Sequence, residues 1–186
     1  MPYEDILLEA EEKMEKAVAV LSDELRGVRT GRASPALVEG LRVDYYGTPT
    51  PLKSLAAITV PEPRLLLVKP FDPGAVDAIV KAIQKSDVGL TPQSDGKIIR
   101  LAVPPLSEER RRQLSKLVKE MGEKAKVALR NIRREANARA DAEEKEGKLS
   151  EDDQKRTREE VDALIKQYEG KVQEAVDRKT KDVMEV

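Results

Sequence analysis

The chain has 186 residues, 37% of them charged and 39% hydrophobic, and a formal net charge of −1. It contains no Cys and no His, which excludes disulfides, thiolate and imidazole metal ligands, and the commonest general base. One Phe, four Tyr and no Trp leave Ala, Leu, Val and Ile to build the cores.

Residues 3 to about 29 read as one helix. Leu7, Met14, Leu21 and Val28 recur at heptad spacing, and Ala10, Ala17, Val18 and Leu25 widen the stripe. This start is acidic and amphipathic, unlike a signal or transit peptide, and no apolar run reaches the length of about 18 residues needed for a membrane span. A reducing cytoplasm is therefore the expected location. Gly31 and Pro35 then break the helix within "RTGRASP".

From residue 36 to about 103 the character changes. "LRVDYYG" alternates, with Val43 and Tyr45 on one face. "LAAITV" and "RLLLVKP" read as strands with Pro61 and Pro63 forming the turn between them. "VDYYGTPTP" reads as a strand ending in a Gly-Thr-Pro turn. "GAVDAIVKAIQKSD" is an amphipathic helix with Ala75, Val76, Ile79, Val80 and Ile83 on its apolar face, and "KIIRLAVP" is a further strand.

Helical periodicity returns at Ser107, a suitable N-cap followed by Glu108 and Glu109 in the first turn, and runs to about Glu146. Gly147 breaks it. Ser150 opens a last helix with Asp153 in capping-box position, a role that accounts for the acid pair Asp152 and Asp153 without a metal. Its stripe is Val161, Leu164, Ile165, Tyr168, Val172, Val176 and Val183. The expected fold is α+β: an elongated bundle of three helices (1–30 plus 106–186) with a small β/α/β domain inserted at 31–105. The crossings carry breakers and predict hinges near 30–34 and 104–106, involving Thr30, Gly31, Ala33, Ser34, Pro104, Pro105 and Leu106.

The second long helix holds the chain's least balanced charge. At about 100° per residue, Leu114, Val118, Met121, Ala125, Leu129, Ile132 and Ala136 fall in a sector of roughly 80° that forms the bundle seam. Arg112, Lys116, Lys119, Lys126, Arg130, Arg133, Arg134 and Asn137 are expected opposite it. Residues 110–139 include 11 Lys or Arg and 3 Asp or Glu, so this segment carries +8 and the remainder of the chain −9. Most charge runs are solvated helix surface. Here Arg112/Lys116, Lys126/Arg130 and Arg130/Arg134 are like-charge pairs at i, i+4, which isolated helices avoid. Arginine suits bidentate phosphate contact, and Asn131 and Asn137 add neutral hydrogen-bonding groups. With no aromatic side chain on this helix for base stacking, the pattern points to backbone and shape recognition of folded RNA. Arg29 and Arg32 beside Gly31 are further candidates for RNA contact. Gly122, inside this helix, costs about 1 kcal/mol against Ala and has no explanation in the linear sequence.

An enzyme would need an organised set of carboxylates, Lys or Tyr, and none is visible. "GKIIRLAV" lacks the upstream glycine and the Ser/Thr of a phosphate loop. A helical adaptor is the stronger alternative, and its exposed apolar seam would self-associate.

Six segments resemble the bacterial ribosome recycling factor family: "RTGRASPALVEG" (Arg29 to Gly40), "VDYYGTPTPL" (Val43 to Leu52), "SDVGLTP" (Ser86 to Pro92), "PPLSEERR" (Pro104 to Arg111), "VALRNIRREAN" (Val127 to Asn137) and "SEDD" (Ser150 to Asp153). The resemblance runs essentially from end to end. It implies an L-shaped, tRNA-sized monomer that binds large-subunit rRNA of the 70S ribosome after termination. It implies elongation factor G as partner, GTP used by that partner and no cofactor on this chain, and splitting of the ribosome into subunits. The family's arginine cluster maps onto Arg130, Arg133 and Arg134, positions that the periodicity also singles out.

Overall fold

A computed structural model describes residues 2–185. The chain divides into two compact units, Met1–Val28 with Arg111–Val186, and Arg29–Arg110.

The first unit is built from three helices, α1 (Pro2–Arg26), α4 (Glu108–Lys145) and α5 (Glu151–Met184). Helix α1 stops before the expected end near residue 29. Gly27 N–H donates to Glu24 O (3.2 Å) and Val28 N–H to Leu25 O (3.1 Å), a tight final turn at the glycine. Tyr3, Ile6, Ala10, Met14, Leu21 and Leu25 are buried, whereas Leu7 sits at the margin. Met14 is fully buried, a contribution of about 1.5–3 kcal/mol from removing one such side chain from water.

Helix α4 is capped at its start by Ser107, whose Oγ accepts from Arg110 N–H at 3.2 Å. It ends in a Schellman motif: Gly147 has φ +74, its N–H donates to Glu144 O (2.9 Å), and Lys148 N–H donates to Glu143 O (2.8 Å). Helix α5 starts at the Ser150 cap, with Asp153 N–H donating to Ser150 Oγ at 3.0 Å. Its stripe from Val161 to Val183 is buried, apart from the half-buried Leu164. Tyr168 is enclosed, and its hydroxyl reaches Glu11 (3.4 Å) and Glu15 (3.3 Å) on α1. Burial, reinforced by those carboxylates, pushes this phenol up to about 12.

Gly122 belongs to the seam. A Cβ there would lie 2.5 Å from Val176 Cγ2, so the missing side chain is what lets α4 and α5 approach at this level. Interhelical ion pairs flank the bundle. Lys13 pairs with Glu135 at 3.2 Å, and Arg158 grips both oxygens of Asp141 at 2.6 Å.

The second unit contains a hairpin of β1 (Arg42–Tyr45) and β2 (Thr48–Pro51), a short α2 (Leu52–Leu55), strands β3 (Ala56–Glu62) and β4 (Leu65–Pro70), helix α3 (Val76–Lys85), and strands β5 (Pro92–Ser94) and β6 (Ile99–Ala102). Its larger sheet is antiparallel in the order β3-β4-β6-β5. Val43, Leu66, Val68, Ile79, Ile83, Ile99 and Leu101 form the centre of one core, with α3 packed against β1 and β5.

Three sequence expectations change here. "VDYYGTPTP" is a complete hairpin, not a strand ending in a turn. Tyr46 (φ 50) and Gly47 (φ 82) form its two-residue loop, a type I′ geometry that suits the strand twist. Pro61 lies inside β3 at an irregularity between Thr59 and Glu62, and the turn is Pro63–Arg64 alone. Leu55 belongs to α2 and not to the strand, because Leu52 and Leu55 turn into the core as a single helical turn. The α3 entrance is fixed by Asp72, which accepts from Gly74 N–H (2.9 Å) and Tyr45 hydroxyl (2.8 Å). Those two donors hold its carboxyl below the usual range.

Candidate nucleic-acid interface

Helix α4 spans 38 residues, so its basic side chains are displayed along a rod about 57 Å long. Arg112, Lys119, Arg130, Asn131 and Arg134 are exposed. Lys126, Arg133 and Asn137 are half-buried, so they flank the seam and do not oppose it as expected. The seam is wider than the expected sector because α4 packs against two neighbours. Gly122 and Ala140 extend its buried face toward α5, which brings Lys126, Arg133 and Asn137 to its edge.

These cations have acidic and amide neighbours on α5. Glu169 Oε1 lies 3.7 Å from Arg130 Nε, and Asp162 Oδ1 lies 3.8 Å from Arg133 Nη1. Lys126 Nζ donates to Gln173 Oε1 at 2.7 Å. Asp162, Glu169 and Gln173 are spaced by seven and four along α5, so one stripe of that helix faces the basic edge of α4. That spacing is visible in the sequence; the antiparallel register that pairs it with α4 is not. Both arginine contacts are long and partly exposed, so they orient the guanidinium groups and stabilise little. Each guanidinium carries five N–H donors, most of which remain available to phosphate oxygens. Asn137 presents a buried Oδ1 without a hydrogen-bond partner among the described residues.

Arg29 and Arg32 belong to the other unit. Arg29 lies over Gly89, whose Cβ would meet the guanidinium at 3.3 Å, and Arg32 is exposed. The crossing segments are tied to a common point: Ala33 N–H donates to Pro63 O (2.7 Å) and Val103 N–H to Arg64 O (2.8 Å). Ser34 Oγ accepts from Ala36 N–H at 3.3 Å. Gly31 (φ +74) leaves room for Leu106, which a Cβ would approach to 3.4 Å. Thr30, Gly31, Pro104, Pro105 and Leu106 lie outside these anchors, toward α1 and α4.

Among the described residues no cluster of His, Cys, Asp and Glu suits a metal ion, and no helix is long and apolar enough to cross a membrane. The family profile described as "Ribosome recycling factor" matches residues 21–184. The chain belongs to the ribosome recycling factor family. The ribosome-recycling factor of Nitratidesulfovibrio vulgaris is 49% identical over 186 residues, covering 100% of each chain. A solution structure of the ribosome recycling factor is 41% identical, covers 100% of this chain and 99% of that one, and superposes with a TM-score of 0.82. A second structure is 39% identical over 100% of both chains, with a TM-score of 0.68. It is described as models for the T. thermophilus ribosome recycling factor and the E. coli elongation factor G bound to the E. coli post-termination complex. The recycling-factor match runs through both units, so it covers the arginine stripe of α4 and the inserted sheet alike.

Proposed function

We propose that this chain binds post-termination ribosomes in the cytoplasm through large-subunit rRNA, and that it splits them into subunits with elongation factor G. GTP is consumed by that partner. This chain contributes binding and positioning, with no catalytic residue of its own. The observation that carries the reading is the family match across both units, joined by a 39%-identical relative bound with elongation factor G to the post-termination complex.

In this reading Arg130, Arg133 and Arg134 are the central phosphate contacts. Arg112, Lys119 and Lys126 extend the stripe, and Asn131 and Asn137 supply neutral donors and acceptors. Glu169, Asp162 and Gln173 position the cations. Arg29 and Arg32 make separate contacts from the small unit. Thr30, Gly31, Ala33, Ser34, Pro104, Pro105 and Leu106 form the hinge through which the small unit moves. The mutual burial of the α1, α4 and α5 stripes supports a monomer.

Ribosome affinity should fall with added salt, because phosphate contacts release counterions. Arg133→Glu should weaken binding at least about tenfold, the loss expected from removing a charged contact and adding a repulsive one. Helicity and melting should stay close to those of the parent. Salt-independent affinity, or loss of fold in the variant, would count against the assignment.

A further inference from the structure

The β1–β2 sheet has unlike edges. Its two-residue loop makes Tyr45↔Thr48 a hydrogen-bonded pair, and antiparallel alternation makes Val43↔Thr50 the next one. Arg42↔Pro51 and Asp44↔Pro49 are then non-hydrogen-bonded pairs, whose backbone groups point out of the sheet. On β2 these outward residues are prolines, which have no N–H, so that edge is blocked. On β1 they are Arg42 and Asp44, and no other backbone group among the described residues bonds to them.

Beside β1 lies an open groove of about 640 Å³, lined by Arg42 and Asp44 of the strand and by residues of α3, which packs against it. Ala78 and Ala82, one helical turn apart and half-buried at the margin of the core, give it a shallow apolar shelf. The Tyr45–Asp72 hydrogen bond ties the end of β1 to the start of α3, so the strand and helix run in opposite directions. Arg42, Lys81 and Lys85 therefore gather toward one end of the groove, and Asp44 and Asp77 toward the other. A strand edge with intact donors beside an apolar shelf is the arrangement that accepts an added strand.

We propose that the groove between β1 and α3 takes an extended, apolar and acidic segment of a protein partner as a third strand of the β1–β2 sheet. Arg42 and Asp44 supply the ladder of N–H and C=O groups. The Ala78–Ala82 shelf receives the inward apolar side chain. Arg42, Lys81 and Lys85 attract carboxylates at their end, while Asp44 and Asp77 repel them at the other and set the segment's direction. A nucleic acid has no amide ladder to offer this edge. This role is separate from the RNA contacts proposed for α4.

The test is an amide NMR titration of the full chain with the synthetic peptide Ac-Glu-Val-Thr-Val-Thr-NH2, which carries its carboxylate at one end only. At about 1 mM peptide the amides of Arg42, Asp44, Ala78 and Ala82 should shift together, and those of Arg42 and Asp44 should gain protection from exchange. Ac-Lys-Val-Thr-Val-Lys-NH2 should bind about threefold more weakly or worse. Asp44→Pro removes an outward donor, and Ala78→Arg fills the shelf from a half-buried helix position. Each should abolish the shifts, and the second keeps the test valid if proline disturbs the hairpin. Absent or scattered shifts would overturn the proposal, as would equal binding of the basic peptide. Protection of Arg42 and Asp44 that rises with protein concentration alone would overturn it in favour of a second copy as the occupant. Matching shifts from an RNA oligonucleotide would also overturn it.

Discussion

Gly122 shows how one residue can be conspicuous in the sequence and explicable only in space. Its helix-propensity penalty of about 1 kcal/mol is legible in the sequence. Its partner, Val176 on a different helix, is not, because only the antiparallel register of α4 and α5 sets them together. A Cβ 2.5 Å from Val176 Cγ2 forces the helices apart. Gly122→Ala should therefore destabilise the bundle by about 1–3 kcal/mol despite its better helix propensity, as overpacking does. Val176→Ala in the same chain should recover much of that loss. Denaturant titration of the double-mutant cycle measures the coupling.

Tyr168 makes a second residue-scale prediction. The folded chain holds the phenol's proton more tightly than the unfolded chain, with its pKa pushed from 10.0 to about 12. Its contribution is constant below about pH 10 and is lost as pH rises toward about 12. Tyr168→Phe should flatten this part of the alkaline stability profile, measured by urea unfolding across that range. The sequence shows Tyr168 as a stripe residue, but Glu11 and Glu15 come from α1 and carry no signal of the contact. The α4 arginines divide the same way. Their clustering is written in one segment, while the acids alongside belong to another.

At the scale of elements, legibility follows local chemistry. Ser107, Gly147 and Ser150 are caps whose action depends on neighbours within a few residues, and the structure places each where the sequence predicts it. Ser150→Ala should lower stability by about 1 kcal/mol by leaving Asp153 N–H without its acceptor, a change visible as a shifted denaturation midpoint. The β1–β2 hairpin escapes a reading from sequence because its loop is Tyr46-Gly47, not Asn-Gly or Asp-Gly, and its second strand is half proline. Prolines at Pro49 and Pro51 fit because they occupy non-hydrogen-bonded pairs, where no donor is needed. Pro61 reads as turn chemistry for the same reason, and its place at a strand irregularity depends on the register with β4.

At the scale of the whole molecule, the segregation of +8 on residues 110–139 from −9 elsewhere gives a near-neutral chain one strongly basic edge. Folding softens that contrast by laying Asp162 and Glu169 beside the arginines. The anchoring of Ala33 and Val103 to the Pro63–Arg64 turn holds the inner ends of both crossing segments to the small unit. Replacing Pro104 and Pro105 by glycine loosens the outer stretch. It should therefore impair subunit splitting more than ribosome binding, compared by parallel splitting and pelleting measurements. Equal loss of both would remove the hinge as a separate working part.

Anchoring through the α4 arginines and splitting of ribosomes with elongation factor G are together the proposed work of this chain. Light scattering of post-termination ribosomes mixed with this protein, elongation factor G and GTP tests it most directly. Scattering should fall as subunits form, dependent on all three additions and abolished by Arg133→Glu. Splitting that proceeds without this chain, or unchanged with Arg133→Glu, would contradict it.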